Sequence, residues 1–309
     1  MSTAMSERRH TATTTIPGAA RSTVARRAPE WQPPGGPSRA AGGLIGVVGG
    51  ESFAAQAVGD PTLISAIPGG PHPGTADPPD PPDPPDPDGP ITRALVDLAD
   101  SYVLRRGHGV PVDVAERHEG VATPAWMLAV AVVRSNSREL IADTLELANA
   151  AGVPSRSLGV CVAYVELAAG LFAGRPATAA IDSATRNGRR HCPAPTGRSS
   201  RPALCGEGPV DALSAGLWAL GQPGGIADVM PALAAITTPG VGAAAAGLLG
   251  LRDGCASMPA VWQRRLRSAP ECLALAPGLV RARCRGHQLH RHLDTPGSPC
   301  VHGVVAGAR

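Results

Sequence analysis

The run Gly242-Ala-Ala-Ala-Ala-Gly247, set inside the apolar stretch Val241–Leu251, constrains this chain more than any other feature. No side chain in it is larger than a methyl group. Alanine is the best helix former, and a helix that is small on every side lets neighbouring backbones approach closely. Such a helix suits the centre of a bundle, and it predicts other helices to pack around it. By itself it carries no chemistry.

Those other helices are legible. Pro90 suits a first helical turn, and Leu95, Leu98, Ala99, Tyr102 and Val103 recur at helical spacing before Gly107. Asn136 with Glu139 three residues later has the capping-box pattern for a helix through Ala151, ended by Gly152. The next helix carries Leu158, Cys161, Val165, Ala168 and Phe172 on one face and stops at Gly174, and a short one follows over Ala177–Ala184. Helices resume at Val210–Leu220, around Ile226–Ile236, at Val241–Arg252, at Pro259–Arg267 and near Leu273–Arg283. No run alternates as a half-buried strand would. The expected fold class is all-α, a compact multi-helix globular domain over residues 40–285.

Four segments depart from that pattern. Residues 1–39 are rich in Ser, Thr, Arg and Pro and poor in large apolar side chains, which reads as a disordered head. Residues 68–90 hold the triplet repeat Asp77-Pro-Pro-Asp80-Pro-Pro-Asp83-Pro-Pro-Asp86-Pro-Asp88. In polyproline II, with three residues per turn, its Asp side chains line one edge about 9 Å apart. That is too wide for several of them to grip one cation, so the insert reads as a stiff solvated spacer. Residues 187–208 are a polar loop, and 286–309 a His- and Arg-rich tail.

Composition narrows the partners. All 28 basic residues are Arg, which with much Ala, Gly and Pro suggests a GC-rich coding sequence. A net charge of +3 over 309 residues does not argue for nucleic acid. The apolar runs Val121–Val133 and Val241–Leu251 fall short of the roughly 20 residues that a bilayer core requires, and the first residues lack the apolar core of a secretory signal. Seven Cys form no dense disulfide framework. The expectation is a cytoplasmic protein without membrane or nucleic-acid partners; a protein partner is not named by the sequence.

Three places carry a resemblance to the ADP-ribosylglycohydrolase family, the DraG-like all-α hydrolases with a two-metal site. Gly46-Val-Val-Gly-Gly50-Glu51-Ser52 resembles the family's opening helix and its Gly-Asp-Ala turn, with Glu in place of Asp. Thr92-Arg-Ala-Leu-Val-Asp-Leu-Ala-Asp-Ser101 is similar to the helix after the family's Thr-Asp-Asp-Thr motif. Ile236-Thr-Thr-Pro-Gly through Gly250, with Met258-Pro-Ala-Val-Trp262, is similar to its Asp-x-Asp motif, small-residue helix and Pro-x-x-Trp segment. The likeness spans about 41 to 270.

What the resemblance implies is tempered by departures. The family's carboxylates would hold two Mg²⁺ ions that orient ribose and water. Glu51, Thr92 and Thr237 are the positional matches to its metal ligands, and Gly50 and Ser52 match its ligand-binding turn. The Asp positions, however, fall on Pro90 and Ile91, and on Thr237 and Pro239, or Thr238 and Gly240 one residue along. Asp86 and Asp88 lie close to the first motif, where a bulge would bring them into register; nothing similar rescues the second, whose nearest carboxylates are Asp228 and Asp253. One carboxylate cannot neutralise two divalent cations. No catalytic residue is therefore assigned, and no cofactor is expected unless the Mg²⁺ site survives.

Two other constellations remain. Cys284, His287, His290, His292, Cys300 and His302 gather potential zinc ligands in the tail, with Cys284/His287 and Cys300/His302 as the candidate pairs. His191-Cys192 and Cys205 offer a thiol and an imidazole without an orienting partner. No P-loop, dinucleotide fingerprint or G-x-S-x-G context occurs. The leading reading is a degenerate ADP-ribosylglycohydrolase-like pseudoenzyme, a non-catalytic module that binds ADP-ribose or a related nucleotide, or regulates a partner. The alternatives are an active hydrolase removing ADP-ribosyl groups from proteins or small molecules, and a structural protein with a zinc-bound tail.

Overall fold

In the computed structural model, residues 35–59, 89–121, 123–191, 208–234 and 237–293 are described. They form α1 (Gly36–Gly59), α2 (Pro90–Leu104), α3 (Val112–Arg117), α4 (Leu128–Val133), α5 (Ser137–Ala150), α6 (Ser155–Phe172), α7 (Ala177–His191), α8 (Pro209–Leu220), α9 (Ile226–Ala234), α10 (Pro239–Asp253), α11 (Ala260–Arg265) and α12 (Ala269–Leu293). Short 3₁₀ turns sit at Pro124–Met127 and Cys255–Ser257. No strand occurs among the described residues. The all-α expectation holds. Most of the head and insert, residues 192–207 of the polar loop and the end of the tail lie outside the described residues.

α10 is the central helix, buried without a break from Val241 to Leu251. Its smallness serves one contact above all, an antiparallel crossing with α1. A Cβ on Gly42 would overlap the Gly250 carbonyl, one on Gly46 the Ala246 carbonyl, and one on Gly50 the Gly242 carbonyl. The three contacts recur at four-residue spacing on both helices, so the two backbones touch along one seam. α6 and α8 also pack on α10. The buried Tyr164 hydroxyl of α6 donates to the Ala244 carbonyl at 3.0 Å, which satisfies a polar group that burial would otherwise penalise.

Several boundaries moved. α7 runs on to His191, beyond the expected Ala184, and α12 extends from Ala269 to Leu293. The stretch Val121–Val133 is not one apolar run but a 3₁₀ turn leading into α4, set off by Thr123 before Pro124. Gly50–Ser52 lie inside α1, with no turn there. α6 is buried on far more than the one face its periodicity suggested, with Gly159–Val165 continuously enclosed. That helix is also long and apolar enough to cross a membrane, which the two runs singled out from the sequence were not. Here most of it is buried among the other helices.

Arginines close helix ends. Arg39 of α1 donates to the Phe172 carbonyl at 3.3 Å, at the end of α6. Arg283 of α12 donates to the carbonyls of Ala131 and Val132 at 3.2 Å and of Arg134 at 2.6 Å, at the end of α4. Cations there meet the carbonyls that a helix leaves unpaired. Burial lowers the pKa of both guanidinium groups.

Candidate functional site

Glu51 is positioned by its neighbour. Gly50 lies flat on the first turn of α10, so Glu51 projects beside that crossing toward the start of α2. There the chain has no cap of its own, because the N-cap residue of α2 is Gly89. Glu51 supplies the cap from another helix. The Ile91 N–H donates to its Oε1 at 3.0 Å, the Thr92 N–H to Oε2 at 2.7 Å, and the Thr92 hydroxyl to Oε2 at 2.6 Å. A Cβ on Gly89 would overlap the carboxylate, so glycine leaves the room it needs. Both Glu51 and Thr92 are buried. A carboxylate on the first amides of a helix is favoured by the partial positive charge there and by charge-assisted hydrogen bonds.

The first turn of α10 closes another side. A Cβ on Gly242 would lie 2.8 Å from the Gly50 carbonyl oxygen and 3.0 Å from Thr237 Oγ1. Thr237 is buried, and its hydroxyl turns back to donate to the Leu233 carbonyl at 2.8 Å. Gly240 faces Ile91 and Thr123, and the Thr123 hydroxyl donates to the Gly240 carbonyl at 3.1 Å. Gly50, Glu51, Thr92 and Thr237 are therefore brought together, and Ser52 follows half-buried on α1. Sequence reasoning missed Gly89 and Thr123. The signal for Thr123 was a hydroxyl residue before a proline that opens a helical turn.

This donor set does not suit a pair of Mg²⁺ ions. Hard divalent cations take oxygen ligands, several of them charged. Pro90, Ile91, Pro239 and Gly240 bring no side-chain oxygen. Among the described residues the carboxylate at this crossing is Glu51, already held by three donors, and the amides of α2 turn positive ends toward it. Asp228 and Asp253 are engaged elsewhere: the former accepts from the Gly225 N–H at 2.8 Å, and the latter from the Ile226 N–H at 2.9 Å. Asp86 and Asp88 lie outside the described residues. Among the described residues no three His, Cys, Asp or Glu side chains cluster as metal ligands. Of the zinc candidates, Cys284 is exposed on α12 and His287 lies on the same helix. Cys300 and His302, like Cys192 and Cys205, are outside the described residues.

The class defined so far is an all-α bundle in which buried Glu51, Thr92, Thr123 and Thr237 gather where α1 meets the starts of α2 and α10. No protein-family model matches the chain, and no curated protein matches it. Among solved structures, one described as an ADP-ribosylglycohydrolase-related protein complex is similar to it, with a TM-score of 0.64 and 20% sequence identity. The match covers 80% of this chain and 99% of that one. At that identity the likeness is one of fold, and function has to be argued from the site. The chain has the ADP-ribosylglycohydrolase fold.

Proposed function

We propose that this chain is an ADP-ribosylglycohydrolase-like protein that has lost metal-dependent hydrolysis. It acts as a non-catalytic module that binds ADP-ribose or a related nucleotide, or regulates a partner. The observation that carries this reading is Glu51, a carboxylate committed to the first amides of α2 and to Thr92. Where a hydrolase would need acids to hold cations against the ribose, this chain uses its acid as a helix cap. The thiols Cys161 and Cys255, which form no disulfide, suit a reducing compartment such as the cytoplasm.

The test is calorimetric titration with ADP-ribose, with and without Mg²⁺, beside a hydrolysis assay on ADP-ribosylated protein. Binding that is indifferent to Mg²⁺, with no turnover, is the expected outcome. Mg²⁺-dependent turnover would overturn the proposal and favour the active hydrolase, with Asp86 and Asp88 as the acids to replace next.

A further inference from the structure

A recess between the end of α2 and the middle of α12 is lined by Val103, Arg106, Gly278, Arg281, Ala282 and Arg285. Its floor is apolar and close-packed. Ala282 is buried, and a Cβ on Gly278 would lie 2.8 Å from Val103 Cγ2. Among the described residues, three guanidinium groups contribute to the lining and no carboxylate does.

The arrangement runs against ordinary preferences in three ways. Arg281 and Arg285 are one helical turn apart on α12, where like charges repel. Arg106 enters from the opposite wall with φ 55°, in the left-handed region that glycine or asparagine usually occupies after a helix. None of the three takes part in an ion pair among the described residues, whereas Arg105 pairs with Asp113 and Arg134 with Asp143. The neighbouring recess around Arg134 and Arg283 is different in kind. Arg134 is committed to Asp143 and to the Gly107 and Gly109 carbonyls, and Glu166 shares the lining.

A bound anion would offset the repulsion and give a reason for the left-handed arginine. Phosphoryl oxygens fit best, because the guanidinium fork bonds them in pairs. We propose that Arg106, Arg281 and Arg285 form a receptor for a phosphate-bearing anion. The receptor is independent of the Glu51 site: α2 has 15 residues, which at 1.5 Å each puts its two ends about 22 Å apart.

The full chain would be titrated with inorganic phosphate and with adenosine monophosphate, at ionic strength held constant with sodium chloride. Calorimetry and thermal unfolding would be read together. Saturable binding is expected, with an unfolding temperature that rises with the phosphate probe and not with chloride. A preference for the bare anion or for the ester identifies the source, and either supports the receptor. The exposed pair Arg281→Gln with Arg285→Gln should weaken binding at least tenfold, yet unfold without phosphate at or above the wild-type temperature, because a repulsion has gone. Arg281→Lys, which keeps the charge and loses the fork, should fall between. No saturable response to either probe, or a response that the double variant retains, would overturn the proposal.

Discussion

At the scale of single residues, Glu51 caps a helix from outside it, through the amides of Ile91 and Thr92 and the Thr92 hydroxyl. Its removal strands three buried donors. Glu51→Ala is expected to lower unfolding free energy by about 3 kcal/mol in urea titrations, since each donor left unsatisfied costs roughly 1–3 kcal/mol and entering water recovers part. Glu51→Gln keeps one acceptor oxygen and should lose about half as much. Mg²⁺ should leave wild-type stability unchanged; a marked Mg²⁺-dependent rise would contradict the cap. The thiols allow a second test. Burial pushes the Cys161 thiol up to about 12, so it stays protonated, and unreactive, until the fold opens. At pH 9 a thiol-alkylating reagent should label exposed Cys284 rapidly and Cys161 at the rate of unfolding. The sign follows for stability. An acid with a raised pKa in the folded state contributes stability below its unfolded value, and that contribution is lost as pH climbs from about 8.5 toward 12. Position 51 was legible in the sequence as an acid, matched there to a metal ligand of the family it resembles. The choice between capping and metal binding needed Ile91 and Thr92, forty residues away in the chain, to be placed against it.

At the scale of elements, the α1–α10 seam makes a sharp distinction between glycines on one helix. Gly46 faces the Ala246 backbone, whereas a Cβ on Gly49 would meet Leu266 Cδ1 at an ordinary 3.5 Å. Gly46→Ala should therefore force the helices apart and cost roughly 1–3 kcal/mol, as overpacking does. Gly49→Ala should be neutral or stabilising by up to about 1 kcal/mol, because alanine is the better helix former. Parallel thermal melts of the two variants settle the matter; equal losses would mean the seam is not where the backbones touch. α2 was readable because one apolar face carries Leu95, Leu98, Ala99 and Tyr102, all buried as expected. α6 was readable as a helix and misread as one-sided. Periodicity reports a solvent-facing stripe, and α6 shows solvent too little of itself for the stripe to be diagnostic. α7 ran past its expected end into a polar sequence that offers no apolar period to follow.

At the scale of the whole molecule, the central contact joins the first described helix to the tenth. Gly42, Gly46 and Gly50 find their partners at Gly250, Ala246 and Gly242, so the core closes only when the far end of the chain arrives. A fragment ending at Ala234 lacks α10 and leaves the inner face of α1, much of α8 and the strip of α6 that meets α10 exposed. It is expected to show helical circular dichroism without a cooperative unfolding transition, where the full chain melts in one step. A sharp transition in the fragment would mean that α1 and α6 hold a core without α10. The same long-range closure explains why the site could be suspected and not assembled from sequence: its parts come from α1, the start of α2, Thr123 and the start of α10.

The sequence by itself determined the helices and the kind of packing. Helical periodicity, capping residues and the Gly–Ala run depend on local geometry and side-chain size, which the chain carries with it. It also determined that Pro90, Ile91, Pro239 and Gly240 bring no carboxylate in any fold. Tertiary structure alone decided what Glu51 does. A carboxylate takes its role from the donors around it, and in this chain the α1–α10 crossing holds Glu51 against the amides of α2.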